Sequence, residues 1–457
     1  MEALSRIVAW LSDHEAAISA VVGIAVLAGI LFTGFRFLLG RRSQPNKEAT
    51  PEEDPLLALP TGPVVAVLPF ENLSRDPDQE YFSDGLTDDI ITALSRFREL
   101  FVIARNSTFR YKGQAVDVRQ LNKELGARYV LEGSVQRAES TLRVTAQLLD
   151  AKDGTHLWAE TYDRELSASN IFAVQDEITE QVVATIAGAW GVIFQARSAE
   201  VKKKPTESLN ALESVLRFNA YAHKLIPTEH AELRDALERA VESDPSYSTA
   251  WACLAVIYLQ EYNASFNPRP DPLDRALNAA RRAVDLESSN QVAHSALAQV
   301  HFHRHDLDAF FVEAERALAL NPNSPSNLIV LGTDLMYAGV ERGIALVRKG
   351  MKLDPFHPTL FYLPIADFHF ERGEYEEALA AARKTDVPGL HWSYIYRAAI
   401  YAELGRAEEA ESAVEELLRF YPDYTVSRYI EEIRRWHFRD ELIHGWAAAL
   451  RKAGLPE

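Results

Sequence analysis

The chain is poor in cysteine and in positive charge. Its single cysteine, Cys253, excludes an internal disulfide, and a lone thiol within a helical repeat is more often packed than reactive. Lysine and arginine number 48, against 66 aspartates and glutamates, which gives a formal net charge of −18. Because affinity for a phosphate backbone comes mainly from basic side chains, this balance argues against nucleic acid as a partner.

The sequence also lacks the common motifs of catalysis and cofactor binding. It contains no G-x-x-x-x-G-K-[ST] phosphate loop, no G-x-G-x-x-G fingerprint, no H-E-x-x-H and no G-x-S-x-G. We therefore expect a protein that is not an enzyme, with no cofactor and no catalytic, cofactor-binding or metal-binding residue.

A helix-ending position recurs through the second half of the chain. Its spacings are 43, 34, 33, 33 and 34 residues, and it is occupied in turn by Pro245, Ser288, Pro322, Pro355, Pro388 and Pro422. A period of 34 is that of the tetratricopeptide repeat (TPR), in which two short amphipathic helices must stack on their neighbours to bury their apolar faces. The one long interval predicts an extra loop at residues 263–272.

Three histidines in this region resemble a metal-binding cluster. His301 and His305 could share one helix face, but His303 would point away from it, which disfavours three ligands on one ion. When this repeat is aligned with the last one, His301 takes the packing position of Tyr401 and His305 the turn position of Gly405. We therefore predict structural roles for the three histidines.

A long uncharged run lies near the N-terminus. Residues 16–35 contain no charged side chain and, at about 1.5 Å per residue, are long enough to cross about 30 Å of hydrocarbon. We predict a transmembrane helix at residues 16–39 rather than a cleaved signal peptide, because residues 1–15 are not net positive and no small-residue cleavage site follows the run.

Charges on either side of this segment predict its orientation. Only Arg6 precedes the apolar run, and four basic residues follow it closely: Arg36, Arg41, Arg42 and Lys47. The positive-inside rule therefore places the large C-terminal part in the cytoplasm of a single-pass inner-membrane protein, although a short N-terminal tail can override that rule.

A domain of a different kind follows a linker rich in proline and glutamate. Residues 64–70 read as a buried strand, residues 82–97 as an amphipathic helix, and residues 128–162 as three strands of an antiparallel meander. A helix at residues 171–194 closes this α/β domain. The predicted organisation is a tail (1–15), a membrane helix (16–39), a linker (40–62), an α/β domain (63–195), an all-α TPR superhelix (205–426) and capping helices (427–457).

Acidic residues on the α/β domain offer two weak candidate sites. Asp84 and Asp88 would lie on one helix face beside Asp89, where carboxylates could hold Mg²⁺ or transfer protons. That face is the polar side of the helix, so solvated side chains are the favoured interpretation. The loop at residues 71–76 is a better position for a ligand, because α/β domains bind ligands where strands end. A simple strand-to-helix connection is nonetheless favoured.

Three segments of the α/β domain resemble a known bacterial family. Residues 64–97 (VVAVLPFENLSRDPDQEYFSDGLTDDIITALSRF), 101–113 (FVIARNSTFRYKG) and 128–165 are similar to the domain related to the N-terminal part of TolB and to FlgO. In that family TPR repeats commonly follow the domain, and the C-terminal LRKAGLPE also resembles the end of those proteins. The resemblance therefore covers nearly everything after the linker.

Relatives in this family are often named adenylate cyclases, because a nucleotide cyclase or winged-helix domain can precede the shared part. Here about 60 residues precede it, and the membrane span and linker fill them, so we expect neither domain. Together, the apolar run and the repeats lead us to expect a membrane-anchored scaffold in bacterial signalling or regulation, whose TPR groove binds a protein or peptide and whose residues 16–39 contact the lipid bilayer. The alternatives are a nucleotide-signalling enzyme or subunit, and a cell-envelope assembly factor outside the membrane.

Overall fold

The computed structural model describes residues 62–74, 79–167, 169–202, 204–221, 225–385, 387 and 391–457. All of them belong to one unit, Pro60–Glu457. The predicted N-terminal tail, the membrane helix and all but the last residue of the linker lie outside the described residues.

One helical stretch within the described ranges is long and apolar enough to cross a membrane. It covers Ile171–Val201 and has a mean hydropathy of 1.2. Its most apolar window is 67% buried inside the protein. Such burial is typical of a helix in the core of a folded domain.

A six-stranded sheet organises the α/β domain. Its strands are β1 (Val64–Val67), β2 (Glu71–Asn72), β3 (Phe101–Val102), β4 (Tyr129–Ala138), β5 (Thr141–Asp150) and β6 (Thr155–Glu165). The order is β3-β1-β4-β5-β6, and β2 also pairs with β4. β1 is parallel to β3 and β4, whereas β4, β5 and β6 form the predicted antiparallel meander.

Helices cover both faces of this sheet. They are α1 (Gln79–Leu94), α2 (Arg105–Phe109), α3 (Val118–Leu125), α4 (Ile171–Ala187) and α5 (Val192–Val201). The apolar stripes of α1 and α4 share one core with inward residues of the sheet such as Val65 and Val144. Leu121 of α3 packs with Val130 on the opposite face. The alternation of apolar side chains along the strands therefore supplies both layers.

The predicted single helix at residues 171–194 is wrong in one respect, because the chain breaks between α4 and α5. The break contains Gly188 and Gly191, and a β-carbon at Gly191 would lie 2.7 Å from the backbone oxygen of Thr185. Only glycine allows so close a backbone approach. The turn places the buried side chain of Trp190 against the helices that follow.

Helical hairpins of the predicted TPR type form the rest of the described chain. The helices are α6 (Ala211–Tyr221), α7 (Pro227–Ser243), α8 (Ser248–Asn263), α9 (Pro272–Leu286), α10 (Gln291–His303), α11 (Leu307–Leu320), α12 (Pro325–Tyr337), α13 (Arg342–Leu353), α14 (Tyr362–Glu371), α15 (Tyr375–Ala382), α16 (His391–Glu403) and α17 (Ala407–Phe420). Neighbouring hairpins bury alanine-rich seams against each other.

The recurring helix-ending position follows the second helix of a hairpin. Pro245 comes two residues after α7 ends, and Pro322 and Pro422 come two residues after α11 and α17 end. Proline cannot continue a helix, so it fixes where each hairpin stops. Pro388 lies outside the described residues. The predicted extra loop is also present, between Asn263 and Pro272.

Two further helices, α18 (Val426–Ile433) and α19 (Asp440–Lys452), complete the chain, with a short 3₁₀ turn at Arg434–Trp436 between them. Trp446 of α19 is fully buried and stacks on Phe370, with ring centroids 3.8 Å apart. Arg435 lies in this turn and does not point freely into solvent. Its side chain instead donates to the backbone oxygen of Tyr262 at 3.1 Å.

Candidate binding cavity

A cavity of about 840 Å³ lies against the first helices of successive hairpins. Side chains from six first helices line it, including Phe218 (α6), Val256 (α8), Ser295 (α10), Val330 (α12), Leu363 (α14) and Trp392 (α16). The first helices share this surface because each second helix packs behind its own partner. This volume and this mixed lining are typical of a binding site.

The α/β domain supplies one wall of the cavity. Phe97, Glu99 and Phe194 line it, and the indole of Trp190 lies 5.6 Å from the ring of Phe361 between centroids. Ala184 of α4 packs with Leu328 and Leu353 beside this wall. The break between α4 and α5 therefore has a function in the fold, since it aims an aromatic side chain at the hairpins.

Residues 434–438, which we call the strap, form a second wall. Arg435 donates to the backbone oxygen of Tyr262 and to Oγ of Ser265, at 3.1 and 2.5 Å. The indole of Trp436 lies 5.0 Å from the ring of His303, and Trp436 lines the cavity. The C-terminal turn is thus held against α8 and α10, far away along the sequence.

His303 joins the strap to the array through both ring nitrogens. Nδ1 lies 2.7 Å from the backbone oxygen of Arg435, and Nε2 lies 3.2 Å from Nδ2 of Asn263. The first contact requires a proton on Nδ1, so Nε2 accepts from the amide. Burial lowers the pKa of His303 to about 4, which keeps the ring neutral.

The other two histidines of the cluster do not converge with His303. Nδ1 of His301 lies 3.2 Å from Oδ2 of Asp306, and His305 occupies a left-handed turn position with φ of 59°. Gly405 holds the corresponding turn with φ of 72°. Within the described residues no group of three His, Cys, Asp or Glu side chains is arranged to hold a metal ion.

Amide side chains connect neighbouring first helices along the cavity. Asn327 donates to Oε1 of Gln291 at 3.3 Å, and the hydroxyl of Tyr221 donates to Oε1 of Gln260 at 2.9 Å. Three of these residues, Asn327, Gln291 and Gln260, line the cavity. These groups retain free donor or acceptor positions that a bound backbone could use.

Glu432 has its charge neutralised within the cavity wall. It receives hydrogen bonds from Arg428 at 3.0 Å and from the hydroxyl of Tyr424 at 2.7 Å, and it lies 3.0 Å from Nε2 of His391. Burial by itself would raise the pKa of Glu432, but these partners hold it at about 2. A satisfied carboxylate of this kind supports the wall of the cavity.

Asp334 has a different environment. This α12 residue lines the cavity and is only 4% exposed, yet its Oδ2 has no hydrogen-bond partner among the described residues. Burial raises the pKa of the Asp334 carboxyl well above its usual range. One turn further along, the hydroxyl of Tyr337 donates to Asp367 at 2.8 Å instead.

The acidic residues of α1 do not form a site. Lys112 pairs with Asp84 at 2.6 Å, Arg105 pairs with Asp88 at 3.3 Å, and Gln175 donates to Asp89. These partners separate the three carboxylates into three local contacts. Their arrangement is that of surface pairs that join α1 to its neighbours.

The predicted loop at residues 71–76 contains a short strand instead. Glu71 and Asn72 form β2 and pair with Ser134 and Val135 of β4, while residues 75 and 76 lie outside the described residues. Just before it, the backbone N–H of Phe70 donates to the hydroxyl of Thr87 at 3.0 Å. The described part of this segment is therefore a paired connection between strand and helix.

Asp334 is not predicted as a site residue from the sequence, although the residues around it indicate an unusual position. It is the one charged residue within residues 325–340, a stretch dominated by apolar side chains. An isolated carboxylate on the buried side of a repeat helix is costly unless it serves a purpose. That stretch could have marked Asp334 as a candidate, but the cavity itself arises from contacts between distant segments.

Parts of the chain are similar to known proteins. Residues 61–181 match the family model of the "HilA/YgeH-like transcriptional regulator, second domain". A Rhizobium meliloti (strain 1021) protein named "Putative adenylate cyclase 3" is 43% identical over 262 residues, which cover 56% of this chain and 42% of that protein. The "TPR repeat-containing protein YpiA" of Bacillus subtilis (strain 168) is 25% identical over 241 residues, which cover 45% and 56%.

Among solved structures, Pseudomonas aeruginosa pilF is 18% identical, covers 50% of this chain and 94% of its own, and has a TM-score of 0.34. The chain spans about half the length of the two curated relatives. The sequence matches confirm the predicted resemblance to TPR proteins and to proteins that carry the adenylate cyclase name.

Proposed function

We propose that this protein is a non-enzymatic interaction protein, and that its cavity receives a segment of a protein partner. The observation that carries the proposal is the cavity itself, to which six successive first helices contribute. Its wall combines aromatic side chains with amides and hydroxyls, such as those of Trp392, Gln299 and Ser326. Apolar pockets take side chains of the partner, while amides bind its backbone.

The walls formed by Trp190 and by the strap limit entry. A partner segment reaches the cavity when the strap leaves α8 and α10, or along the side that neither wall covers. The strap is attached by a few hydrogen bonds and aromatic contacts, which makes its release a small local opening rather than unfolding of the array.

Paired full-length variants test this function. Val330 lines the cavity, so Val330→Trp fills it, whereas Val312 is 67% exposed on α11 and serves as the matched control in Val312→Trp. We expect tagged wild-type protein and Val312→Trp to retain the same partner from gently solubilised cells, and Val330→Trp to lose it. Equal retention by both variants, or no partner at all, would contradict the proposal.

The absence of enzymatic activity is part of the proposal. It is supported by the pairing of the α1 carboxylates with Lys112, Arg105 and Gln175. The alternative, a nucleotide-signalling enzyme or subunit, is suggested by the name of the Rhizobium meliloti relative. Incubation of the full chain with ATP or GTP and Mg²⁺ or Mn²⁺ separates the two, since formation of any cyclic nucleotide favours the alternative.

Anchoring in the bacterial inner membrane through residues 16–39, with the C-terminal domains in the cytoplasm, completes the proposal. It rests on the uncharged run and on the basic residues that follow it. A reporter active only in the cytoplasm, fused after Glu457, tests the orientation. Activity of a periplasmic reporter at the same position would favour the cell-envelope alternative.

A further inference from the structure

Asp334 is a buried carboxylate whose Oδ2 has no partner in the part of the chain that the structure describes. Only 4% of the residue is exposed, and its Oδ2 accepts no hydrogen bond from any described residue. Desolvating a carboxylate without compensation costs several kcal/mol. Because Asp334 also lines the cavity, a complementary group from outside the chain can reach it there and offset that cost.

The charged side chains around the cavity indicate which charge the outside group carries. Among the described side chains that line it, the acidic ones are Glu99, Asp334 and Glu432, and Arg428 is the one lysine or arginine. Arg428 is already bonded to Glu432. Burial raises the pKa of Glu99, and a hydrogen bond from Thr249 and the charge of Arg98 oppose that shift only in part. The unpaired titratable groups of the described lining are therefore acidic, and a bound cation would favour their ionised form.

Aromatic rings lie close to Asp334 along α12 and the strap. Tyr337 follows Asp334 by one helical turn and also lines the cavity, and its ring packs on Phe438 with centroids 4.2 Å apart. Aromatic faces attract cations, most strongly where water is excluded. The cavity thus combines a carboxylate with aromatic and aliphatic surface, which suits a positive charge on an apolar stem.

We propose that the cavity binds a cationic nitrogen, an ammonium or guanidinium group carried on an apolar stem, and that this nitrogen forms an ion pair with Asp334. The stem belongs either to a small organic cation or to a lysine or arginine side chain of a partner. In the second case the inference rests on the proposed function, because the basic side chain is part of the bound segment.

Protonation of Asp334 gives this pairing a pH dependence. Burial keeps its pKa high while the cavity is free, and a bound cation lowers that pKa because it stabilises the ionised form. Binding therefore releases a proton, and affinity for the cation rises with pH until Asp334 is ionised in the free protein. The cation's own nitrogen stays protonated throughout this range.

The test uses the full-length protein in lipid nanodiscs and two small probes of similar size, n-pentylguanidinium and the neutral 1-pentanol. Calorimetry measures affinity, and the rate of alkylation of Cys253, a buried residue of the cavity wall and the sole cysteine, shows whether the probe occupies the cavity. We expect the cation to bind roughly 10-fold or more tightly than the alcohol and to slow alkylation.

Two matched variants assign the effect to Asp334. Asp334→Asn keeps the shape and removes the charge, so we expect it to lose the preference for the cation. Asp354→Asn is the control, because Asp354 is also buried with an unpartnered Oδ2 but does not line the cavity. Equal binding of both probes by wild type, no binding of the cation, or an unchanged preference in Asp334→Asn would overturn the inference.

A second experiment, with peptides, shows whether the cation belongs to a partner's side chain or to a small molecule. A blocked Gly-Arg-Gly peptide is compared with its citrulline counterpart, which has nearly the same shape without the charge. Preference for arginine assigns the cation to a partner segment, whereas binding of pentylguanidinium alone assigns it to a small molecule. Should Val330→Trp abolish partner retention while the charge preference is absent, the proposed function stands and the inference about Asp334 falls.

Discussion

Nδ1 of His303 lies 2.7 Å from the backbone oxygen of Arg435, a residue 132 positions further along the chain. This bond joins the first helix of one hairpin to the strap between α18 and α19. Nδ1 donates this bond in either protonation state, but burial of the ring and the amide of Asn263 at Nε2 favour neutral His303, so this wall of the cavity depends on pH. Arg435 also holds the strap on the other side, through its hydrogen bonds to Tyr262 and Ser265 of the α8 segment.

Acidification is expected to weaken this part of the protein. Burial lowers the pKa of His303 to about 4 in the folded state, below the ordinary value near 6.5, so the folded protein binds fewer protons than the unfolded chain. Its contribution is complete above about pH 6.5 and is lost as the pH falls towards 4, which amounts to about 2–3 kcal/mol between pH 7.5 and 4.5.

His303→Gln removes this titration while keeping a polar side chain. We expect the Tm of the wild type, followed by circular dichroism, to fall more between pH 7.5 and pH 4.5 than that of the variant. Identical shifts in the two proteins would show that His303 does not control the acid sensitivity.

Release of the strap is expected to open the cavity. The indole of Trp436 contacts the ring of His303, so Trp436→Ala removes much of the apolar contact that holds the strap. We expect alkylation of Cys253 at pH 8 to become about 10-fold faster, which corresponds to about 1.4 kcal/mol of easier opening. Trp158→Ala, on β6 and away from the cavity lining, should leave the rate unchanged, and equal rates in both variants would argue against a strap that restricts access.

The sheet is expected to reject any side chain at Gly133. A β-carbon there would lie 2.3 Å from the backbone oxygen of Thr145 and 2.4 Å from Cε1 of Phe70. Gly133→Ala should therefore lower the free energy of unfolding by about 1–3 kcal/mol or prevent folding of the α/β domain.

Gly445 of α19 provides the comparison, because a β-carbon there would meet only Cε1 of Phe370, at 3.9 Å. Gly445→Ala should be neutral or stabilising by up to about 1 kcal/mol, since alanine favours the helix. Thermal unfolding by circular dichroism measures both variants. A Gly133→Ala protein as stable as the wild type would show that the strand pairing differs from that described.

DNA binding is not expected, although the family model matched by residues 61–181 is that of a domain in transcriptional regulators. The formal net charge of −18 opposes approach to a phosphate backbone. Gel-shift experiments with the full chain at low and physiological salt should show no complex with double-stranded DNA. A salt-sensitive complex would refute this expectation.

The main elements follow from local patterns in the sequence. Short stretches of sequence contain both the alternation of apolar residues in β5 and the recurring helix stop at positions such as Pro322 and Pro422. They predict the meander and the hairpins because each element must bury one face, whatever lies further along the chain.

The candidate site was less predictable, since contacts between distant segments create it. The break at Gly188 aims Trp190 at Phe361, and the strap returns to His303 across more than a hundred residues. Periodicity carries no information about either contact. The partner of Asp334 is equally absent from local sequence, because that carboxylate is defined by the cavity it faces.

Photocrosslinking from inside the cavity tests the central claim most directly. A photoreactive amino acid replaces Val330 in one strain and the exposed Val312 of α11 in another, and cells are irradiated intact. The account predicts one discrete crosslinked partner from position 330 that position 312 does not yield. The same products from both positions, or none from position 330, would contradict a cavity that binds a partner.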